Sequence, residues 1–372
     1  MRRILGIALA GLATLAGNAS AQRVVGRIIE ETTLAPIGGA FITIFDEDGA
    51  RLGSFLTDDT GSFAFDLPRP GTFTMRAERI GHRVTTAGPF TAAAADTLTL
   101  EISAPAEAVA LEGIAVRGEG RCTVRPAAAA AAARVWEEAR KVFEITLWSR
   151  DAARLQFRAT QYTRMLDPRG NILAEQVRAA PASGYRAWRT ADLDILDRVG
   201  YVQAIGDSID FYAPDAEVFL SDHFLDRHCI EAIAGEGEFA GLVGLAFRPA
   251  PDRQQPDIAG TLWLDAKTSE LRHLDYAYVQ ASHLVPVERA IGRIAFARTP
   301  GGIWYVDEWW IRMPRAVSNN RSLDLDGWRE KGGIVLEVVG DYGGTPVSAR
   351  RRNDAIGRFA GNGATNFSLT RR

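Results

Sequence analysis

The sequence predicts a mostly β protein of two domains, a β-sandwich followed by an α+β domain that contains an antiparallel sheet. Short segments in which apolar and polar residues alternate recur along both halves of the chain, and Gly, Pro, Asn or Asp bound most of them. All eight Trp lie in the second part of the chain, beyond residue 130, and this change in composition separates the halves. The length of 372 residues also favours more than one domain.

Residues 1–21 have the three parts of a secretory signal. Arg2 and Arg3 precede an apolar run over residues 4–15, and Ala19-Ser20-Ala21 has the small side chains of a cleavage site. The run is shorter than the roughly 20 residues that cross a bilayer as a helix, and no later segment is long and apolar enough to do so. We therefore expect an exported protein that is periplasmic, associated with the outer membrane or secreted.

The charge of the chain is close to balance, with a formal net charge of -3 and a pI near 6.0. This balance excludes a general electrostatic attraction to nucleic acid or to an anionic membrane surface. We expect no nucleic-acid partner.

The first domain is predicted over residues 22–103 and is organised around residues 57–82. Asp58 to Gly61 supply a tight turn, since Asp can bond to its own backbone and Gly tolerates positive φ. Apolar residues then alternate along residues 63–67 and again along residues 73–77, with a Pro-Gly turn between the two segments. Six or seven strands at this spacing indicate a β-sandwich.

Five short motifs follow one another in this domain: G-x-I from Gly26, T-x-x-P-I-x-G-A from Thr33, T-D-x-x-G-x-F from Thr57, P-G-x-F from Pro70 and I-G from Ile80. In this order they resemble the carboxypeptidase regulatory-like domain, a family with a transthyretin-like fold. His82 stands where the family usually has an aromatic residue. The resemblance implies an accessory module and no catalytic residues.

Residues 104–120 are predicted to form a linker, and residues 121–340 the second domain. That domain begins with an amphipathic helix whose apolar side contains Val135, Val142 and Phe143. A second helix is predicted over residues 215–233. Strands are expected at residues 209–212, 242–247, 260–265, 271–279, 293–298 and 303–313, mostly in antiparallel pairs because short turns join neighbours. Residues 341–372 are rich in Gly, Asn and Arg and predict a disordered basic tail.

The segment Gly260-Thr261-Leu262-Trp263-Leu264-Asp265 resembles periplasmic lipoprotein-carrier proteins of the LolA type. Those proteins are curved antiparallel sheets that helices close around an apolar cavity. The resemblance implies a curved sheet in the second domain. Any antiparallel meander with a tight turn could contain the same short motif.

Cys122 and Cys229 are the two cysteines of the chain. An even pair in an exported protein predicts a disulfide. A bridge that closes so long a loop stabilises the fold by on the order of 4–5 kcal/mol in the chain-entropy model.

His228 and Glu231 form an H-x-x-E pair, with His223 nearby, and would share one face of the predicted helix. Such a pair could bind zinc, but a zinc carboxypeptidase also needs a third His at a much greater distance. We predict no catalytic residue, no metal site and no cofactor. A hydrolase in the second domain, either zinc carboxypeptidase-like or a glycosidase, is the alternative.

The aromatic residues Trp263, Trp304, Trp309 and Trp310 are the predicted ligand-binding residues. Strict alternation would place Trp304 on one face of its strand with Trp310, and Tyr305 on the other with Trp309. At least one row would then lie outside the core; core packing of all of them is the other interpretation. We expect a non-enzymatic accessory protein of the cell envelope that binds a hydrophobic ligand, a glycan or a protein partner.

Overall fold

The computed structural model of the protein describes residues 22–94, 96–107, 126–152, 154–180, 187–188, 190–206, 208–284, 289–319, 322–342 and 345–346. It confirms the predicted fold class, a mostly β chain with a sandwich followed by an α+β half. Residues 108–120 of the predicted linker (104–120) and residues 347–372 of the predicted tail (341–372) lie outside the described residues.

Seven strands form the sandwich: β1 (Gln22–Glu30), β2 (Phe41–Asp46), β3 (Arg51–Leu56), β4 (Ser62–Leu67), β5 (Gly71–Glu78), β6 (Thr85–Ala92) and β7 (Thr97–Ala104). One sheet has the order β4-β1-β7, and the other has the order β3-β2-β5-β6. Strands β1 and β7 are parallel, whereas the other pairs in the two sheets are antiparallel. The buried residues of both sheets, such as Ile42, Phe73 and Met75, form one core between them.

Two glycines of the family motifs have a structural reason. Gly26 faces Leu100 on β7 so closely that a Cβ would lie 2.2 Å from the Leu100 carbonyl oxygen. Gly61 has a φ of 72° in the turn before β4, and Asp58 holds this turn by accepting hydrogen bonds from the backbone of Thr60 and Ser62. The turn predicted at Asp58 to Gly61 is confirmed.

The second half contains four helices and twelve strands among the described residues: α1 (Pro126–Asp151), β8 (Leu155–Leu166), β9 (Ile172–Ala179), α2 (Leu193–Val199), β10 (Val202–Ile205), β11 (Ser208–Phe211), α3 (Ala216–Leu220), α4 (Asp222–Arg227), β12 (His228–Ala234), β13 (Leu242–Pro249), β14 (Asp257–Asp265), β15 (Leu271–Val279), β16 (Ile291–Arg298), β17 (Trp304–Asn319), β18 (Ser322–Tyr342) and β19 (Thr345–Pro346). A short 3-10 helix (Gly237–Phe239) precedes β13.

One large antiparallel sheet dominates this half, with the order β12-β13-β14-β15-β16-β17-β18-β8-β9. Helix α1 lies against one face of it and packs on β12, β13 and β17. Its buried residues Val135, Ala139, Val142 and Phe143 belong to the same core as Leu245, Leu274 and Ile294 of the sheet. The amphipathic helix expected at the start of this half is therefore confirmed, and its apolar side is the side that is buried.

The prediction of one helix over residues 215–233 is wrong in its second part. Helices α3 and α4 end at Arg227, and residues 228–234 form β12, which pairs with β13. The β-branched Ile230 and Ile233 suit a strand, and pairing with β13 satisfies their backbone groups. The long strand β18 is also absent from the strands predicted by local pattern, and it continues beyond the predicted end of the domain at residue 340.

The sandwich and the second half share a hydrophobic core in spite of the predicted linker. Phe41, Leu56 and Ile80 of the sandwich belong to the same buried cluster as α1. The indole of Trp148 on α1 contacts the Phe41 ring, with centroids 5.4 Å apart, and its Nε1 donates to the Ser54 carbonyl oxygen at 3.1 Å. The boundaries of the two domains stay a prediction, but the halves are in direct contact.

Candidate ligand-binding cavity

A cavity of about 390 Å³ lies between the C-terminal half of α1, the start of β8 and the paired strands β16 and β17. Its lining is mostly aromatic and aliphatic and includes Leu147, Leu155, Phe157, Phe219, Phe296 and Trp304. Pockets that bind small molecules have this size and this apolar character.

Aromatic rings in mutual contact build one wall of the cavity. Phe143 of α1 stacks on Phe219 of α3, with centroids 5.1 Å apart and planes 7° apart, and meets Phe296 of β16 edge-on at 6.0 Å. Phe143 is 1 % exposed and Phe219 is also 1 % exposed. The wall is therefore set by packing among three elements.

The cavity lies where two neighbouring strands stop pairing. The ladder between β17 and β18 ends at the pair Glu308↔Ile334, although β17 begins at Trp304. Beyond that point β18 still pairs with β8, and this pairing continues to Leu155 at the start of β8. The start of β17, which pairs with β16 but not with β18, and the start of β8 thus both border the cavity. The Phe157 and Tyr305 rings meet across the gap, with centroids 5.8 Å apart.

A β-bulge decides which aromatic side chains of β17 face α1. In the ladder between β16 and β17, Phe296 pairs with Val306 and the preceding Ala295 pairs with Glu308, so Asp307 is an extra residue. An extra residue reverses the alternation of side chains along a strand. Trp304 and Trp309 therefore belong to the same core cluster, and Tyr305 belongs to another. The prediction that Trp304 shares a face with Trp310 is wrong for this reason.

Polar groups of the cavity lie at the C-terminal end of α1 and at the start of α3. Arg150 forms ion pairs with Asp151, at 3.0 Å, and with Glu217. Asp215 caps α3 by accepting a hydrogen bond from the Val218 backbone nitrogen at 3.1 Å. Burial raises the pKa of the Asp215 carboxyl above its ordinary value. Among the described residues of the lining, Arg150 is the cationic side chain, and it is already paired with two carboxylates.

The structure separates the four Trp that the sequence singles out. Trp304 lines the cavity and is 2 % exposed. Trp309, which is 5 % exposed, packs against Trp188 with ring centroids 5.6 Å apart, and Trp188 lines the cavity. Sequence reasoning did not select Trp188, which lies in a stretch with no assigned element.

Trp263 and Trp310 lie away from the cavity. Trp263 stacks on Phe239 at 4.4 Å with planes 6° apart, and Phe239 also lies 6.0 Å from the His273 ring. Trp310 is half-buried, with the Arg312 guanidinium 5.5 Å from its ring centroid. The four Trp therefore do not form one aromatic patch. Phe143 lines the cavity. The amphipathic pattern of α1 had already placed this residue on the apolar side of the helix.

The pair considered for zinc, His228 and Glu231, lies on a strand and not on one face of a helix. His228 begins β12 and is buried, and its Nε2 lies 3.2 Å from Asp257 Oδ1 while its Nδ1 lies 2.9 Å from the Phe224 carbonyl oxygen. Arg253 pairs with the same Asp257. His223 is exposed and lies 3.6 Å from Asp194. Over the described ranges, no three His, Cys, Asp or Glu side chains are grouped as they would be to hold a metal ion.

Cys229 is buried in β12, with 8 % of its surface exposed. Cys122 lies outside the described residues, so the disulfide between the two stays a prediction. Among the residues that the structure describes, no helix is both long and apolar enough to cross a bilayer.

Residues 23–105 match the family model of the carboxypeptidase regulatory-like domain. This confirms the resemblance that the five motifs indicated in the first half. The match does not extend to the second half, whose resemblance to LolA-type carriers stays a prediction. No curated protein sequence matches the chain.

Among solved structures, the chain is similar to hydroxyquinol 1,2-dioxygenase from Pseudomonas putida DLL-E4, with 13% identity, a TM-score of 0.19 and coverage of 25% of this chain and 58% of that one. It is also similar to the pilus 2b backbone protein of group B streptococcus, with 11% identity, a TM-score of 0.19 and coverage of 23% and 41%. The major pilin subunit BcpA of Bacillus cereus gives 9% identity, a TM-score of 0.19 and coverage of 90% and 93%. The first two matches span less than two thirds of those proteins, and TM-scores this low carry no argument about function.

Proposed function

We propose that this chain, whose residues 23–105 form a carboxypeptidase regulatory-like domain, binds a hydrophobic molecule in the cavity beside α1 and does not transform it. The observation that carries the proposal is the cavity of about 390 Å³ with aromatic and aliphatic walls. Each methylene group that leaves water for such a site contributes about 0.8 kcal/mol. A chain of several methylenes would therefore bind by burial alone.

The burial of three of the four predicted Trp favours a hydrophobic ligand over a glycan or a protein partner. Stacking on a sugar or on another protein needs rings that are open to solvent, whereas Trp304 and Trp309 are 2 % and 5 % exposed. Trp263, at 7 % exposed, is covered by Phe239. A ligand that enters the mostly apolar cavity is the better fit to these rings.

We propose further that the chain acts in the cell envelope as an exported accessory protein. The signal-like residues 1–21 and the two cysteines support this location. Intact mass measured with and without reduction of the purified protein tests the bridge between Cys122 and Cys229. If reduction leaves the mass unchanged, and if both thiols can be alkylated without prior reduction, the bridge does not exist.

The binding proposal is tested with a homologous series of straight-chain methyl esters, followed through the fluorescence of Trp188 and Trp304. We expect the affinity to rise roughly four-fold for each added methylene, until the cavity is full. Affinity that does not change with chain length would contradict binding by burial.

A variant that fills the cavity localises the site. Thr146 lines the cavity from α1, and Thr146→Phe should lower the affinity for the longest ester at least ten-fold. Ala133→Phe adds the same ring on an exposed position of α1 and serves as the matched control, which should bind as the native protein does. Equal binding by both variants would place the ligand elsewhere.

A further inference from the structure

The aromatic side chains that line the cavity divide into two groups by burial. Four of them are buried, with at most 9 % of their surface exposed: Phe143, Phe219, Trp304 and Tyr305. The other aromatic residues described in the lining, Phe157, Trp188 and Phe296, are only half-buried. We call these three the open rings, because they supply most of the aromatic surface that a ligand in the cavity can contact.

Each open ring contacts a buried ring. The pairs, with the distance between ring centroids, are Phe157 with Tyr305 at 5.8 Å, Trp188 with Trp309 at 5.6 Å and Phe296 with Phe143 at 6.0 Å. Such contacts between aromatic rings restrict the orientation of the open rings before a ligand arrives. A ligand that binds them therefore loses little affinity to the ordering of side chains.

An aromatic ligand gains from the open rings an attraction that a saturated ligand lacks. An aromatic ring has an electron-rich face and an electron-poor edge, so two rings in edge-to-face or offset contact attract each other beyond the effect of the area that they bury. A saturated hydrocarbon gains from burial of its surface alone. The walls of the cavity therefore favour an aromatic ligand among hydrophobic molecules of similar size.

The position of the open rings and the volume of the cavity indicate how large this ligand is. Phe157 belongs to β8, Phe296 to β16 and Trp188 to the segment before α2, so the open rings belong to three different parts of the chain. An apolar cavity of about 150 Å³ holds one benzene molecule. The volume of about 390 Å³ has room for two or more rings, which can contact more than one wall at once.

We propose that the hydrophobic ligand is an aromatic molecule of two or more fused rings, which lies in the cavity between Phe157, Trp188 and Phe296. This inference rests on the proposed function, because it requires that the cavity binds a hydrophobic molecule. It adds the chemical class of the ligand and the residues that select it.

The test compares naphthalene with trans-decalin, the saturated hydrocarbon that has the same carbon skeleton. Both compounds are volatile, so their affinities can be measured by partition from the headspace above a protein solution. The native protein is compared with Phe296→Leu, which removes an open ring and keeps an apolar side chain. We expect the substitution to lower the ratio of naphthalene affinity to decalin affinity by about five-fold. A ratio that does not change would overturn the inference.

A second variant, Phe157→Leu, removes the open ring of β8 and keeps the inference testable if Phe296→Leu does not fold. Circular dichroism identifies the variants that fold as the native protein does. We expect Phe157→Leu to lower the same ratio by a similar factor, because the ligand contacts both rings. An unchanged ratio in a folded variant would overturn the position of the ligand between the open rings.

Phe239→Leu is the matched control. Phe239 is also half-buried and stacks on a buried ring, that of Trp263, but it does not line the cavity. This variant should leave the ratio unchanged. If it lowered the ratio as the two cavity variants do, the effect would come from loss of an aromatic ring in general, and the assignment to the open rings would be overturned.

The same measurements separate this inference from the proposed function. If decalin binds and the ratio does not depend on the open rings, the proposed function stands without this inference. If neither naphthalene nor decalin binds the native protein, the proposed function itself fails.

Discussion

Asp265 shows how one carboxylate organises a turn that joins two central strands. It accepts hydrogen bonds from the backbone nitrogens of Lys267 and Thr268, both at 3.0 Å, and from Arg272 at 2.9 Å. The Arg272 hydrogen bond and the backbone donors lower the pKa of the Asp265 carboxyl from 3.8 to about 2. The turn between β14 and β15 thus depends on an ionised side chain.

We expect Asp265→Asn to destabilise the protein by about 1 kcal/mol at neutral pH, since it weakens a charge-assisted set of bonds. Because the pKa is lowered by folding, the ionised carboxylate contributes stability above about pH 3.8, and this contribution is lost as the pH falls toward 2. Urea midpoints of native and variant protein measured along this range should converge at the acid end. A difference that stays constant with pH would show that the charge of Asp265 is unimportant.

The contact between α1 and the sandwich depends on a buried ion pair as well as on apolar packing. Lys141 Nζ donates to Glu138 Oε1 at 2.6 Å and to the His82 carbonyl oxygen at 2.7 Å. Glu138 Oε2 in turn accepts from the Gly81 backbone nitrogen at 2.8 Å. Burial is the largest influence on Glu138 and raises the pKa of its carboxyl, in spite of Lys141. The pair connects the helix to the loop that follows β5.

Lys141→Met should destabilise the protein by about 3–5 kcal/mol, because it leaves Glu138 buried without its partner. Arg27→Met is the comparison, since Arg27 pairs with Glu101 at 2.7 Å with side chains 60% and 51% exposed, and it should cost under about 1 kcal/mol. Chemical denaturation of the two variants measures the difference. Similar losses for both would mean that burial of the Lys141 pair adds nothing.

At the scale of the whole molecule, the shared core predicts that the two halves unfold together. Chains of this length often unfold in stages, but Phe41, Leu56 and Ile80 of the sandwich pack in one cluster with α1. Unfolding of either half alone would expose that surface to water. Coupling across it should therefore make unfolding a single event.

Calorimetry should show one transition, and Trp fluorescence should report the same midpoint as hydrogen exchange of the sandwich amides. This comparison is informative because all eight Trp lie outside the sandwich. Two separate midpoints, with the sandwich amides protected after the Trp signal is lost, would contradict the coupling.

Much of the architecture could be predicted from local pattern. Strand β15 coincides with the predicted residues 271–279, and the turn at residues 299–302 is closed by hydrogen bonds from Gly302 to Thr299 and from Ile303 to the Thr299 side chain. The β18 strand has no such clear alternation, and His228 follows a helix directly. Both segments are fixed by pairing with distant strands, which a local pattern does not report.

The sequence by itself determined the β class, the sandwich with its family motifs and the buried side of α1, since each depends on residues that are neighbours in the chain. The tertiary structure decided where the cavity lies and which Trp line it. The reason is that the extra residue Asp307 and the end of the β17–β18 ladder arise only when strands pair. This single extra residue shifts the register, so Trp304 faces α1 while Trp310 lies on the opposite face of the sheet.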